Sequence, residues 1–125
     1  MGSRTTWEIR THADSPSIYL YSHWGGESKW SDTVGALRAA EPRWGDSSYG
    51  ARIFISQIIG AHWDSETGFG ITAGENGSVP FEESYFSILI DFSSRTVIAG
   101  DRFYDFSEFL TTEDVSAELM EGAWA

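Results

Sequence analysis

The sequence contains no cysteine, and only three of its 125 residues are proline. Without cysteine the chain has no disulfide and no thiolate to hold a metal, so its stability has to come from packing. The longest apolar stretch, Ile53–Ile59, is interrupted by Ser56 and Gln57 and is too short to cross a bilayer. The first residues lack the charged and then apolar order of a signal peptide. These absences favour a soluble cytoplasmic protein.

Basic residues are scarce, above all in the second half of the chain. Of eight bases only Arg95 and Arg102 follow residue 61, whereas thirteen of the nineteen acids lie there, and the net charge is −11. Binding to phosphates through counterion release needs a basic surface, so we expect no direct nucleic-acid binding. An acidic surface suits a partner protein with a basic patch, which it would meet quickly and in a salt-dependent way.

Length and composition predict one domain. A chain of 125 residues buries a real core but is too short for two ordinary domains. Six Trp, eight Phe and five Tyr supply buried area, and such rings also line ligand and partner surfaces. We expect a single domain over residues 1–125, in which residues 1–6 are flexible or vector-derived because the chain opens with Met1-Gly2-Ser3.

Apolar and polar residues alternate in five short segments, which is the pattern of β-strands. Trp7–Thr11 and Ile18–Tyr21 flank a turn-rich loop and predict a hairpin. Three more strands are predicted at Phe69–Ala73, Phe86–Phe92 and Thr96–Ala99, the last two as antiparallel neighbours. An aromatic patch of three phenylalanines follows them: Phe103, Phe106 and Phe109.

Two helices are predicted between the hairpin and the later strands. The first has Ser31 as its N-cap and covers Asp32–Ala40, ending before a proline. The second is capped by Asp46 or Ser47 and runs to Gly60, a natural C-terminal glycine. Apolar residues cover most of the circumference of the second helix, so we expect it to be central in the fold.

The tail predicts an acidic helix, with Thr112 as its cap and Glu113–Met120 as its body. The element order ββααβββα then indicates an α+β single domain, with an antiparallel or mixed sheet of about five strands covered by two central helices. The acidic C-terminal helix is our candidate for the partner-binding surface, through Glu113, Asp114, Glu118 and Glu121.

A second candidate site concerns a small ligand. The segment His23-Trp24-Gly25-Gly26 either clamps a flat ligand or ends a strand in a glycine turn with the indole in the core. Arginines near the start of the second helix either bind an anion at the helix N-terminus or pair with neighbouring acids. The candidate ligand-binding residues are His23, Trp24, Arg43, Trp44 and Arg52, and a nucleotide-like molecule is the ligand they would suit.

The sequence supports no enzyme class and no cofactor. A nucleophile elbow and a phosphate-binding loop are both absent, and the paired acids are adjacent, so they diverge in a strand or helix. His62, Asp64 and Glu66 would share one face if that segment were extended, which would suit a divalent ion. A polar connection after the second helix is the alternative, and we predict no metal site.

Three segments of the chain stand out together: Ile18–Gly26 (IYLYSHWGG), Arg43-Trp44-x-Asp46 and Glu66–Ile71. They resemble small accessory proteins encoded by bacteriophages of actinobacteria, and the resemblance spans about residues 7–100. It carries over no activity and no site residue. It implies a non-enzymatic protein of the host cytoplasm that binds and inhibits or redirects a host protein, such as a defence or DNA-handling factor. The alternatives are a binder that sequesters a nucleotide-like molecule and a virion or assembly component.

Overall fold

The computed structural model describes residues 5–23, 29–77, 87–99 and 102–111, and shows an α+β fold built on one mixed sheet. The predicted fold class is therefore confirmed. The strands are β1 (Thr5–Arg10), β2 (Ser17–Ser22), β3 (Phe69–Gly74), β4 (Ser87–Asp91), β5 (Thr96–Ala99) and β6 (Arg102–Asp105). The helices are α1 (Lys29–Ala39), α2 (Ser47–Ile59) and α3 (Phe106–Thr111), and two short 3₁₀ segments are Glu41–Arg43 and Gly60–His62.

The described residues form a sheet of six strands in the order β3-β2-β1-β4-β5-β6. Neighbouring strands are antiparallel except β1 and β4, which are parallel in the centre. The predicted hairpin and the predicted β4–β5 pair are both present. β6 was missed because the phenylalanines around it were interpreted as one aromatic patch. Phe106 and Phe109 are buried, but Phe103 lies on β6 and is 63% exposed.

The helices cover one face of the sheet. Trp7 of β1 lies on this face, and its indole Nε1 donates to Thr33 Oγ1 of α1 at 2.9 Å. Leu20 and Ile88 are directly beside Trp7 on the neighbouring strands and share its burial. This layer of large apolar residues between sheet and helices is the core, and its burial supplies most of the favourable free energy of folding.

Helix α1 begins earlier than predicted. It includes Lys29 and Trp30, so Ser31 is an exposed residue of the first turn and not the N-cap. Trp30 is 1% exposed, and we attribute the earlier start to the burial of this large ring, which outweighs the cap preference. Burial also lowers the pKa of the Lys29 ammonium group, whose Nζ lies 5.6 Å from the Trp30 ring centroid.

Helix α2 begins and ends where its capping residues predict. The Asp46 side chain accepts from the Tyr49 N–H at 3.4 Å, and Gly60 ends the helix with a φ of 58°. Phe54 is fully buried, whereas Ile58 is only partly buried and packs at the edge of the core. Gly50 lets the helix approach its neighbours, because a Cβ there would lie 2.8 Å from both the Arg43 carbonyl oxygen and the Phe92 ring.

Of residues 1–6, which we expected to be flexible or vector-derived, the structure describes only Thr5 and Thr6. Thr5 and Thr6 belong to β1 and are completely buried. They pair with Ser22 and Tyr21 of β2, so β1 includes the last two residues of that segment. The acidic helix predicted at Glu113–Met120 lies outside the described residues. Within the described part of the chain, no helix combines the length and the apolar character needed to span a membrane.

Candidate functional site

The structure places Trp44 in the core. Its ring packs on Phe106 with 5.0 Å between centroids, and its Nε1 donates to the Leu37 carbonyl at 3.1 Å. Only 8% of Trp44 is exposed, so its faces are already occupied by protein and do not offer a stacking surface to a ligand. Arg43 and Arg52 are exposed, and the Arg43 guanidinium lies 5.4 Å from the Tyr49 ring centroid.

His23 lies at the other end of α2 from Arg43. Its backbone N–H donates to Gly68 at 2.9 Å, and Gly68 precedes Phe69, on which His62 stacks just beyond the C-terminus of α2. Thirteen helical residues span about 20 Å. The structure therefore does not bring the candidate ligand residues together into one pocket. The remaining candidate, Trp24, lies outside the described residues, as do the candidate partner-binding residues Glu113, Asp114, Glu118 and Glu121.

The segment that follows α2 is not extended. His62 ends a 3₁₀ segment and Asp64 lies in the following turn, so the period-two alignment of His62, Asp64 and Glu66 does not exist. Among the residues that the structure describes, no three His, Cys, Asp or Glu side chains are grouped to hold a metal ion.

A buried polar network lies at the loop end of the β1–β2 hairpin. Glu8 Oε2 accepts from Arg10 at 2.8 Å, from Ser17 Oγ at 2.6 Å and from the Gly77 N–H at 3.0 Å. Ser17 Oγ also lies 2.6 Å from Asn76 Oδ1, so its single proton is shared between two acceptors. The network ties the turn after β3 to β1 and β2, and we assign it a structural role.

An open cavity of about 350 Å³ lies beside this network. Two of its residues are acidic and none is basic, so it repels an anionic ligand such as a nucleotide. The lining residues are Ala13, Asp14, Ser15, Pro16, Glu75 and Asn76.

Among the residues that the structure describes, strand β3 is one edge of the sheet, and its outer backbone groups have no hydrogen-bond partner there. His23 and Gly68 are opposite each other and hydrogen-bonded, which sets the alternation of bonded and non-bonded pairs along β2 and β3. The residues whose N–H and C=O groups point toward β2 are Gly70, Thr72 and Gly74. The residues whose N–H and C=O groups point outward are Phe69, Ile71 and Ala73.

Exposed apolar side chains accompany this open edge. Ile71 is 50% exposed at the middle of β3. The His62 ring lies 6.1 Å from the half-buried Phe69 ring, with 29° between the ring planes. This contact holds the segment after α2 against β3, and Trp63, the next residue of that segment, is 53% exposed. We call β3 together with residues 63–66 the β3 surface.

The stretch of sequence that contains the β3 surface carries only negative charges. No lysine or arginine occurs between Arg52 and Arg95, whereas six acids do. Asp64 and Glu66 precede β3, Glu75 follows it directly, and all three are exposed. The result is an uncharged strand with acids at both ends.

Comparison with protein-family models, with curated proteins and with solved structures finds no match to this chain. The sequence predicts β3 as a strand but does not predict a protein-binding surface there. Two features of the sequence could have pointed to this surface. Residues 53–94 contain no lysine or arginine, and β3 contains no charged residue. The edge position of β3 could not be predicted from the sequence, because it depends on which strands pair with each other.

Proposed function

We propose that this protein is a non-enzymatic binding protein that engages a partner protein through the β3 surface, and that the partner presents a basic patch. The observation that carries the proposal is the exposure of Trp63 and Ile71 beside an uncharged edge strand with acids at both ends. Tryptophan is among the residues that contribute most binding free energy when buried at interfaces.

The acids would act mainly on encounter and specificity. Asp64, Glu66 and Glu75 are exposed, so each would contribute little to an attraction in high salt but would guide a basic partner toward the strand. Apolar contact with Trp63 and Ile71 would then supply the lasting part of the affinity. This division of roles predicts that salt slows association more than it speeds dissociation.

The biological setting we propose follows the resemblance to phage accessory proteins. In that setting the protein acts in the host cytoplasm and inhibits or redirects a host protein, such as a defence or DNA-handling factor. The acids at residues 113–121 remain a second expected contact with the same partner.

Affinity capture from an actinobacterial lysate tests the proposal. The double variant Asp64→Asn/Glu66→Gln and the single variant Trp63→Ala should each lose most of the captured partner. The control Glu41→Gln/Asp105→Asn changes the net charge by the same amount at exposed positions outside the β3 surface, and should capture as the wild type does.

Two results would contradict the proposal. Capture that survives in both β3-surface variants would place the interface elsewhere on the protein. Capture that is lost equally in the control variant would show a response to total charge and not to this surface. Recovery of phage structural proteins, after the same capture from infected cells, would instead indicate an assembly component.

A further inference from the structure

Strand β3 ends the sheet with backbone groups that have no partner among the described residues. The outward N–H and C=O groups belong to Phe69, Ile71 and Ala73. An exposed, extended edge is a template on which another extended segment can pair through its main chain. We infer that a partner binds by strand addition, with a basic extended segment pairing onto β3; this inference rests on the proposed function.

The two edge strands of the sheet, β6 and β3, differ in how well they are protected against pairing with another strand. Proteins usually protect edges with charge, proline or short length. β6 follows that rule, because it has four residues and two of them, Arg102 and Asp105, are charged. β3 has six residues, FGITAG, with no charge and no proline. Strand addition is therefore favoured at β3.

The charges at the two ends of β3 indicate which kind of segment would pair with it. Two copies of this chain paired through β3 would bring acids of one copy near acids of the other, because Glu66 precedes the strand and Glu75 follows it. Such like-charge pairs disfavour self-association. A segment with lysine or arginine at both ends of an apolar stretch would instead place opposite charges near Glu66 and Glu75. A basic segment of another protein is thus the occupant that the charges favour.

The faces of β3 leave room for the side chains of the added strand. On the helix-covered side of the sheet, Ile71 offers an exposed apolar contact. On the other side, Gly70 has no side chain, and a Cβ built there would meet no atom within 4 Å. Successive side chains of the added strand would therefore find an apolar contact on one face and open space on the other.

A backbone variant separates strand addition from surface contact. In Ala73→Pro the outward N–H is lost, but the bonds of Gly70, Thr72 and Gly74 to β2 remain, as do Ile71, Trp63 and every acid. Ala73→Val keeps the N–H and is the matched control. The probe is a ten-residue synthetic peptide of alternating Lys and Val, and the comparison probe replaces Lys with Glu. Affinities are measured by calorimetry, with thermal unfolding to confirm that both variants are folded.

The expected result is that wild type and Ala73→Val bind the Lys–Val peptide and not the Glu–Val peptide. Ala73→Pro should bind the Lys–Val peptide at least about tenfold more weakly. One main-chain hydrogen bond is lost, and the proline ring blocks the neighbouring hydrogen bonds to the peptide. The largest amide shifts in NMR spectra should fall on Phe69, Ile71 and Ala73.

Three results would overturn strand addition: equal affinity in Ala73→Pro, no binding of the Lys–Val peptide, or a dimer formed through β3 in sedimentation. The proposed function is judged separately. It survives equal affinity in Ala73→Pro if Asp64→Asn/Glu66→Gln still loses capture of the protein partner, and it fails if that capture persists.

Discussion

The His62 ring stacks on the Phe69 ring across the gap between the end of α2 and the start of β3. This contact joins β3 to the residue that directly precedes residues 63–66 of the β3 surface, and Trp63 is the next residue of the chain. It also covers one side of Phe69, which is half-buried, whereas Ile71 is 50% exposed. The contact between His62 and Phe69 therefore links the start of residues 63–66 to β3.

Two glycines in helices should respond in opposite ways to alanine. A Cβ at Gly50 would meet the Arg43 carbonyl oxygen and the Phe92 ring at 2.8 Å, whereas a Cβ at Gly35 would meet nothing within 4 Å. We expect Gly50→Ala to lower the free energy of unfolding by about 1–3 kcal/mol through overpacking. Gly35→Ala should raise it by about 0.5–1 kcal/mol, because alanine favours the helix. Urea unfolding measures both, and changes of the same sign would contradict the packing described for α2.

The Thr33 hydroxyl links β1 to α1. It accepts from Trp7 Nε1 at 2.9 Å and donates to the Lys29 carbonyl at 2.5 Å. Thr33→Val keeps the shape but leaves a buried indole N–H unpaired, so we expect a loss of about 1–3 kcal/mol in the free energy of unfolding. The control Thr72→Val changes an exposed residue and should stay within about 0.5 kcal/mol of wild type. Equal effects in thermal unfolding would show that the bond between sheet and helix does not stabilise the fold.

We expect Glu8 to stabilise the fold, although it is an acidic residue in a buried position. It is 5% exposed, and its Oε2 accepts from Arg10, Ser17 and the Gly77 N–H. Glu8→Gln keeps the size but removes the charge that strengthens these bonds, and should cost about 1–3 kcal/mol. Glu41→Gln, at an exposed position, should change stability by less than about 0.5 kcal/mol. If chemical unfolding gives the same midpoint for both variants, the network has no stabilising role.

Local signals in the sequence predicted much of the fold. The hairpin follows from alternation on both sides of a turn-rich loop, and α2 follows from Asp46 and Gly60 as its caps. In each case the determinant lies within a few residues of the element it determines. Local signals did not predict the start of α1. The helix begins before Ser31 because tertiary packing buries Trp30, and not because of helix propensity.

The candidate site depended on long-range pairing and was harder to predict. β1 and β4 pair in parallel although some 75 residues separate them, and that pairing puts β3 at an edge. No local pattern encodes this arrangement. The position of His23 also depends on long-range pairing, because the register of β2 on β3 takes His23 to the far end of α2 from Arg43.

Among the described residues β3 presents an open backbone edge, and amide hydrogen exchange of the free protein tests this most directly. Exchange at Gly70 and Thr72, which bond to β2, should be slower than at Ile71 and Ala73 by about 100-fold, as expected if opening costs about 3 kcal/mol. Slow exchange at all four amides would contradict the claim, because it would mean that the outer edge of β3 is already covered in the free protein.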